Sequence, residues 1–265
     1  MSERVDLRQA LDVARNAAEA GAAIAMRKRD SAEELIIQAK AQADFVTDVD
    51  KAAQAAIIQV IQETYPDHRI LAEEEGADAL GNTSSPYRWI IDPLDGTTVY
   101  IHGKDSFGTI VALQENNETV VGAMTIPMRN ERFWGSKGNG AFFNGQRITS
   151  LRPTQSLNDA ILCTNLGRHE LALNLPKLRC ASLQNYGCAA VEIGDVLKGE
   201  NDGVAFDSVR LWDCVAGLLM IAEAGGKVRW AFRDANNDRG RVFAVGCTKP
   251  IYEDLEKFVF GSAHA

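Results

Sequence analysis

Histidine is scarce in this 265-residue chain. His68, His102, His169 and His264 stand far apart and form no H-E-x-x-H pattern. Isolated histidines are more often surface or core residues than ligands, and only His102 falls near a candidate site. Cysteine is odd in number, with five residues and no C-x-x-C pair. That argues against a disulfide framework or a zinc knuckle and for a reducing compartment. Cys188 and Cys214 lie in apolar helical stretches and read as small buried hydrophobes rather than nucleophiles. Positive charge is short as well: 28 Lys and Arg face 36 Asp and Glu, a net charge of -8. Such a surface gains nothing from counterion release, so nucleic acid is not an expected partner. No apolar run is long enough to span a bilayer, and residues 1–30 scatter charges among alanines where a signal peptide would have an apolar core. A cytoplasmic protein with no membrane partner is expected. The Gly135–Gly145 segment contains G-x-x-G-x-G but no helix follows it, so it is not read as a dinucleotide motif.

What the chain does have is alternating order. Leu7, Leu11, Ala14, Ala18 and Ala22 predict an amphipathic helix over about 5–26. Ala53, Ile57 and Ile61 predict a second over about 50–64, with Asp50 as its cap and Pro66 beyond its end. Apolar runs at 70–72, 88–91, 107–114, 120–126 and 132–135 read as strands, and 76–86 as a surface loop. The second half reads as strands at 160–164, 204–206, 227–230 and 241–246, with helices at 188–198, 212–224 and 252–258. This predicts an α+β protein in two parts. Residues 1–150 would hold a helix pair, an antiparallel sheet and most candidate ligands; residues 151–265 would form an α/β part.

Four acidic segments carry the candidate chemistry. The strand Trp89-Ile90-Ile91 ends in Asp92-Pro93-Leu94-Asp95-Gly96-Thr97-Thr98. Pro93 is expected to turn the chain so that Asp95 returns beside Asp92, and Gly96 allows close backbone approach to a ligand. A helix starting near Thr97 would offer free N–H groups to an anion. Two carboxylates beside an anion need cations between them, and Mg²⁺, which binds few carboxylates and bridges to phosphate, suits that arrangement. Asp44, Asp48 and Asp50, then Glu73-Glu74-Glu75, then Asp213 would separately read as helix caps or a solvated face. Together they place a carboxylate at successive strand ends and helix starts, which can meet in one cleft.

The Asp92–Thr98 string, the later Trp212-Asp213-Cys214-Val215-Ala216-Gly217 and the Glu223-Ala224-Gly225-Gly226 that follows resemble the inositol monophosphatase family, over about residues 8–247. The resemblance implies an αβαβα layered sandwich, a homodimer, and Mg²⁺-dependent hydrolysis of a small phosphorylated metabolite. It implies one metal held by Glu73, Asp92 and the Leu94 carbonyl, a second held by Asp92, Asp95 and Asp213, and a third reached through water from Glu73. Thr97, oriented by Asp50, would align and help deprotonate the attacking water. The backbone N–H groups of Gly96 and Thr97 would bind phosphate, and Lys40 would lie near the site.

The substrate side departs from the family pattern. Val99-Tyr100 replaces the usual Asn-Phe. Asp207 stands where inositol phosphatases have a glutamate one residue earlier. Asn185-Tyr186-Gly187-Cys188 and Phe107–Leu113 resemble the histidinol-phosphatase branch, yet Ala189 replaces that branch's acid, with Glu192 and Asp195 nearby as substitutes. Inositol 1-phosphate is therefore the expected substrate. Histidinol phosphate or another sugar or nucleotide phosphate is the alternative, and a non-catalytic binding module or scaffold is a remote one.

Overall fold

A computed structural model describes residues 4–31, 34–41, 44–165, 178–233 and 238–261. Helix α1 (Leu7–Asp30) is capped by Asp6, whose carboxylate accepts the Arg8 N–H at 2.8 Å. Its last turn holds Arg27, Lys28 and Arg29, which suit the negative end of the helix dipole. Its buried face is mostly alanine, so helix α2 (Asp48–Thr64) packs close. A Cβ on Gly21 would lie 2.7 Å from Ile57 Cδ1.

Helix α2 begins two residues before the sequence expectation, and Asp50 is not its cap. Thr47, in extended backbone, is the N-cap, and Asp50 is the reciprocal acid of a capping box. The T-x-x-D spacing favours that arrangement because it satisfies two helix-end donors at once. Ahead of α2, β1 (Ile37–Ala41) and β2 (Asp44–Thr47) form an antiparallel pair that hydrophobic patterning did not disclose.

A seven-stranded sheet follows: β3 (Arg69–Ala72), β4 (Tyr87–Asp95), β5 (Gly108–Glu115), β6 (Glu118–Ile126), β7 (Glu131–Ser136), β8 (Gly140–Phe143) and β9 (Gln146–Arg147), ordered as in the chain. β3 and β4 are parallel and the remaining pairs antiparallel. Asn116 and Asn117, both left-handed at φ 50° and 68°, close the β5–β6 hairpin, the conformation a tight two-residue turn needs. Between β4 and β5 lies the one-turn helix α3 (Thr97–Ile101).

The second sheet runs β11 (Ser182–Gln184), β10 (Ile161–Thr164), β12 (Gly203–Arg210), β14 (Arg241–Cys247) and β13 (Lys227–Phe232). β12 has eight residues where patterning suggested the three of 204–206. Its outer half carries Asp207 and Ser208 at a register shift, and that polar interruption hides the strand.

Helices α4 (Ala189–Lys198) and α5 (Leu211–Glu223) lie between the sheets, and α6 (Tyr252–Gly261) covers the far face of the second. Trp89, Ile91, Val111, Leu113 and Val121 pack towards α1 and α2. Ile90, Ile110, Ala112 and Met124 pack towards α4 and α5. Both faces of the first sheet are thus covered, which is why its central strands read as unbroken apolar runs. The layers are αβαβα. The core around α4 and α5 draws residues from both sheets and runs unbroken between them.

The seat of α5 is tight. A Cβ on Gly122 of β6 would meet the Ala216 carbonyl oxygen at 2.8 Å and its Cα at 3.0 Å. A Cβ on Gly217 would meet Ile193 Cγ2 at 2.5 Å. These contacts fix the helix whose first turn carries Asp213. No helix among the described residues is long and apolar enough to cross a membrane.

Candidate active site

Asp92 and Asp95 are three residues apart on one strand, where regular pleating would aim them to opposite faces. A β-bulge changes that. Asp92 pairs with Ile110 and Asp95 with Gly108, so three steps on β4 oppose two on β5. The extra residue restores both aspartates to one face. Pro93 lies inside the bulge, where a missing N–H costs no ladder bond. The sequence reading expected a turn here; the strand instead continues through Asp95. The Leu94 N–H donates to Asp92 Oδ1 at 3.1 Å, and Thr109 Oγ1 donates to the Pro93 carbonyl at 3.0 Å.

Gly96 follows at φ 87°, a left-handed conformation that an L side chain rarely adopts. A Cβ there would also lie 2.9 Å from the Ser106 carbonyl oxygen and 3.1 Å from Cys188 Cβ. Thr97 opens α3, and its hydroxyl lies 2.9 Å from both Asp50 Oδ1 and the Leu94 carbonyl. Asp50 is fully buried. Its Oδ2 accepts the Thr47 N–H at 2.8 Å and the Thr47 hydroxyl at 2.5 Å. The same carboxylate therefore closes the α2 cap and reaches Thr97.

Glu73 comes alongside because its N–H donates to the Ile91 carbonyl at 3.1 Å, continuing the β3–β4 pairing one residue further. Its neighbour Glu74 is held at the backbone by Gln54, which accepts the Glu74 N–H at 3.1 Å and donates to its carbonyl at 3.3 Å. Asp213 enters from the other layer. It sits three residues after the α5 cap, and its Oδ2 accepts the Arg210 N–H at 2.8 Å. An N-cap role for Asp213 is therefore replaced by the reciprocal role, with Arg210 as the cap residue.

The electrostatics show that these acids meet. Burial pushes the Asp92 carboxyl well above its usual range, and the charges of Glu73, Asp95 and Asp213 push the same way. Burial raises Asp95 to about 6, although N–H groups of Ala190 and Ala189 and the Cys188 thiol favour its ionised form. Burial and the Asp95 charge raise Asp213 to about 7, and Asp92 and Asp213 hydrogen-bond to each other. Like charges gathered in a buried place take up either protons or cations. Among the described residues no three His, Cys, Asp or Glu side chains already form a coordination shell. Several of these oxygens instead bond to backbone N–H groups. The donor set consists of four carboxylates and the Leu94 carbonyl, all hard oxygens, and this suits Mg²⁺. A cleft of 620 Å³ opens beside Glu73, lined also by Gln38, Lys51, Gln54 and Arg239.

The remaining candidates are placed differently. Glu192 is 2 % exposed; its Oε1 accepts the Tyr186 N–H at 2.8 Å, and burial raises its carboxyl to about 8. Asp207 is also buried, at the β12 bulge, with its N–H bonded to Asn165 Oδ1 at 3.2 Å. Lys40 lies in β1, and its side chain falls outside the described residues. His102 is exposed, and its Nδ1 is 2.8 Å from the Thr98 carbonyl. Sequence reasoning overlooked Cys188 as a neighbour of the acids: its thiol is 3.1 Å from Asp95 Oδ2, and the Ala190 N–H donates to the same oxygen at 2.6 Å. Arg239 was missed too. It donates to the Glu73 carbonyl at 3.2 Å and lies over the Trp212 ring. No local pattern marks Arg239, and the Tyr186-Gly187-Cys188 string carries no sign that its thiol meets Asp95.

Residues 6–249 match the model of the inositol monophosphatase family. The chain belongs to that family. An inositol monophosphatase-family relative from Aquifex aeolicus, named fructose-1,6-bisphosphatase/inositol-1-monophosphatase, is 36% identical over 83% of this chain and 85% of its own length. The Nus factor SuhB of Escherichia coli K12 is 34% identical, over 82% of this chain and 84% of its own. Among solved structures, the extragenic suppressor protein suhB of Bartonella henselae superposes with a TM-score of 0.83 at 29% identity, covering 95% of this chain and 98% of that one. The inositol monophosphatase sandwich in these proteins is the layered arrangement described above.

Proposed function

We propose that this protein hydrolyses a small phosphate monoester with the help of two or three Mg²⁺ ions, and that inositol 1-phosphate is the first substrate to test. The observation that carries the reading is the bulge that brings Asp92 and Asp95 to one face, with Glu73 and Asp213 beside them. Glu73, Asp92 and the Leu94 carbonyl would hold one ion, and Asp92, Asp95 and Asp213 a second. When bound, Mg²⁺ supplies charge for the phosphoryl oxygens and lowers the pKa of a coordinated water.

The protein's own residues do the rest. With its proton directed to Asp50 Oδ1, the Thr97 hydroxyl presents a lone pair that orients a water and takes up a proton from it as its own proton passes to the Asp50 carboxylate. Asp50, held by two bonds from Thr47, keeps Thr97 in that rotamer. The left-handed turn at Gly96 clears side-chain bulk from the place where phosphate would meet the Gly96 and Thr97 N–H groups. Glu192 braces the 186–187 loop from behind through backbone bonds, which supports a shaping role for it rather than direct contact with substrate.

Phosphate release from inositol 1-phosphate and from histidinol phosphate, with Mg²⁺ and with excess chelator, tests the proposal beside an Asp92→Ala control. Metal-dependent release lost in the control supports it and selects the branch. Release that survives chelation or the Asp92 substitution refutes the assigned chemistry. The SuhB-named relatives motivate a second reading, a role in binding without turnover; it predicts metal binding without release from any monoester.

A further inference from the structure

A cavity of 330 Å³ opens against β3 and β4 and holds three guanidiniums, Arg69, Arg88 and Arg239, against two carboxylates, Asp78 and Asp238. In a chain of net charge -8, that is a local excess of positive charge. Arg69 and Arg88 are register partners in the parallel β3–β4 pair, so their side chains leave neighbouring backbone positions. Arg88 is 7% exposed. Its Nη1 donates to Asp238 Oδ2 at 2.5 Å and its Nη2 to Gln114 Oε1 at 2.9 Å, while its buried Nε has no acceptor among the described residues. The Nε of Arg69 is likewise buried without an acceptor among the described residues. Arg239 donates to Asp78 Oδ2 at 2.7 and 3.0 Å.

Buried N–H groups without acceptors are rare, and a guanidinium is a planar fork that matches the oxygens of a phosphate. We propose that this cavity is a second anion site that takes a phosphate group, free or esterified, beside Arg69 and Arg239 with Arg88 behind them. It is separate from the acid cluster, since Arg69 precedes Glu73 by four residues, roughly 13 Å along a strand. Arg239 connects the two places, because its Nη1 also bonds the Glu73 carbonyl at 3.2 Å. A phosphate in the cavity would compete with Asp78 for that guanidinium and so act on the segment that carries Glu73.

The test is a calorimetric titration of inorganic phosphate into the full-length protein stripped of divalent ions and kept in chelator. In that state the acid cluster repels phosphate and hydrolysis is off. The expected result is saturable one-site binding, weakened at least tenfold in Arg69→Gln and less in Arg69→Lys, with both variants melting as cooperatively as the parent. A parallel titration with glycerol 3-phosphate separates the sources: tighter binding of the ester assigns the cavity to a phosphorylated metabolite, and tighter binding of phosphate assigns it to the free ion. Heats no larger than dilution, meaning a water-filled cavity only, overturn the proposal. So does parental affinity in Arg69→Gln.

Discussion

Replacing Asp213 with Asn should make the metal-free protein more stable. The Asp213 carboxyl is raised from 3.8 to about 7 by burial and by Asp95. A group raised on folding stabilises the native state fully below its unfolded value and loses that contribution as pH rises through the folded one. At pH 8 the loss is complete, and the shift corresponds to about 4 kcal/mol. Partial exposure of Asp213 and its shared proton with Asp92 reduce the part belonging to this residue to about 2 kcal/mol. Asn keeps the shape and an acceptor for the Arg210 N–H, and its amide can donate to Asp92. For a chain of this length about 2 kcal/mol raises the melting temperature by roughly 4 °C. The assay is calorimetric melting at pH 8 in chelator, then with Mg²⁺. In Mg²⁺ at a hundred times its dissociation constant the parent should gain about 2.7 kcal/mol, and Asp213→Asn should gain little. A variant less stable than the parent in chelator would refute the claim that these acids repel one another. An undiminished Mg²⁺ shift would refute Asp213 as a ligand.

Three other outcomes follow from the same structure. Thr97→Val should lower kcat about 100-fold while the Mg²⁺-induced melting shift persists, because the valine keeps the volume but neither orients water nor passes a proton to Asp50. Gly122→Ala should destabilise by about 1–3 kcal/mol, seen in urea unfolding, since its Cβ would press on the backbone of Ala216; unchanged stability would mean that α5 is not seated as tightly as described. His68 is held neutral, lowered to about 4 chiefly by burial, with its Nδ1 accepting from Trp89 Nε1 at 3.1 Å between the rings of Tyr65 and Tyr87. Stability should therefore fall as pH drops from about 6.5 to 4, by about 1–2 kcal/mol after allowance for its partial exposure, and His68→Gln should lose that increment in denaturation curves measured across the range.

The parts of this protein that could be read from its sequence are those whose physics is local. Helix α1 announces itself because its burial repeats at the helical period, and strand β4 because it is buried throughout and reads as an unbroken apolar run. Asp92, Asp95 and Thr97 stand out because a strand, a proline, a glycine and a helix start are compressed into ten residues. The sharing of one face by Asp92 and Asp95 was anticipated, but for the wrong reason. A turn at Pro93 and a bulge at Pro93 leave the same residues in the sequence; only the pairing with Ile110 and Gly108 on β5 distinguishes them.

Long-range closeness was harder to see. Cys188 reaches Asp95 across 93 positions, and Arg239 reaches the Glu73 carbonyl across 166. Each depends on how α4, α5 and the second sheet settle against the first, which no window of sequence encodes. Glu192 shows the consequence for specificity. As an acid on a helix beside the site it could equally have faced a cationic substrate, but the turn into α4 folds Tyr186 and Gly187 over it and engages its carboxylate with backbone N–H groups. The acid that a substrate would meet and the acid that shapes the loop meeting it are the same residue type at nearly the same position. The metal-facing half of the site was therefore legible early, while the substrate-facing half depends on side-chain direction, which is decided only when the two sheets close on α4 and α5.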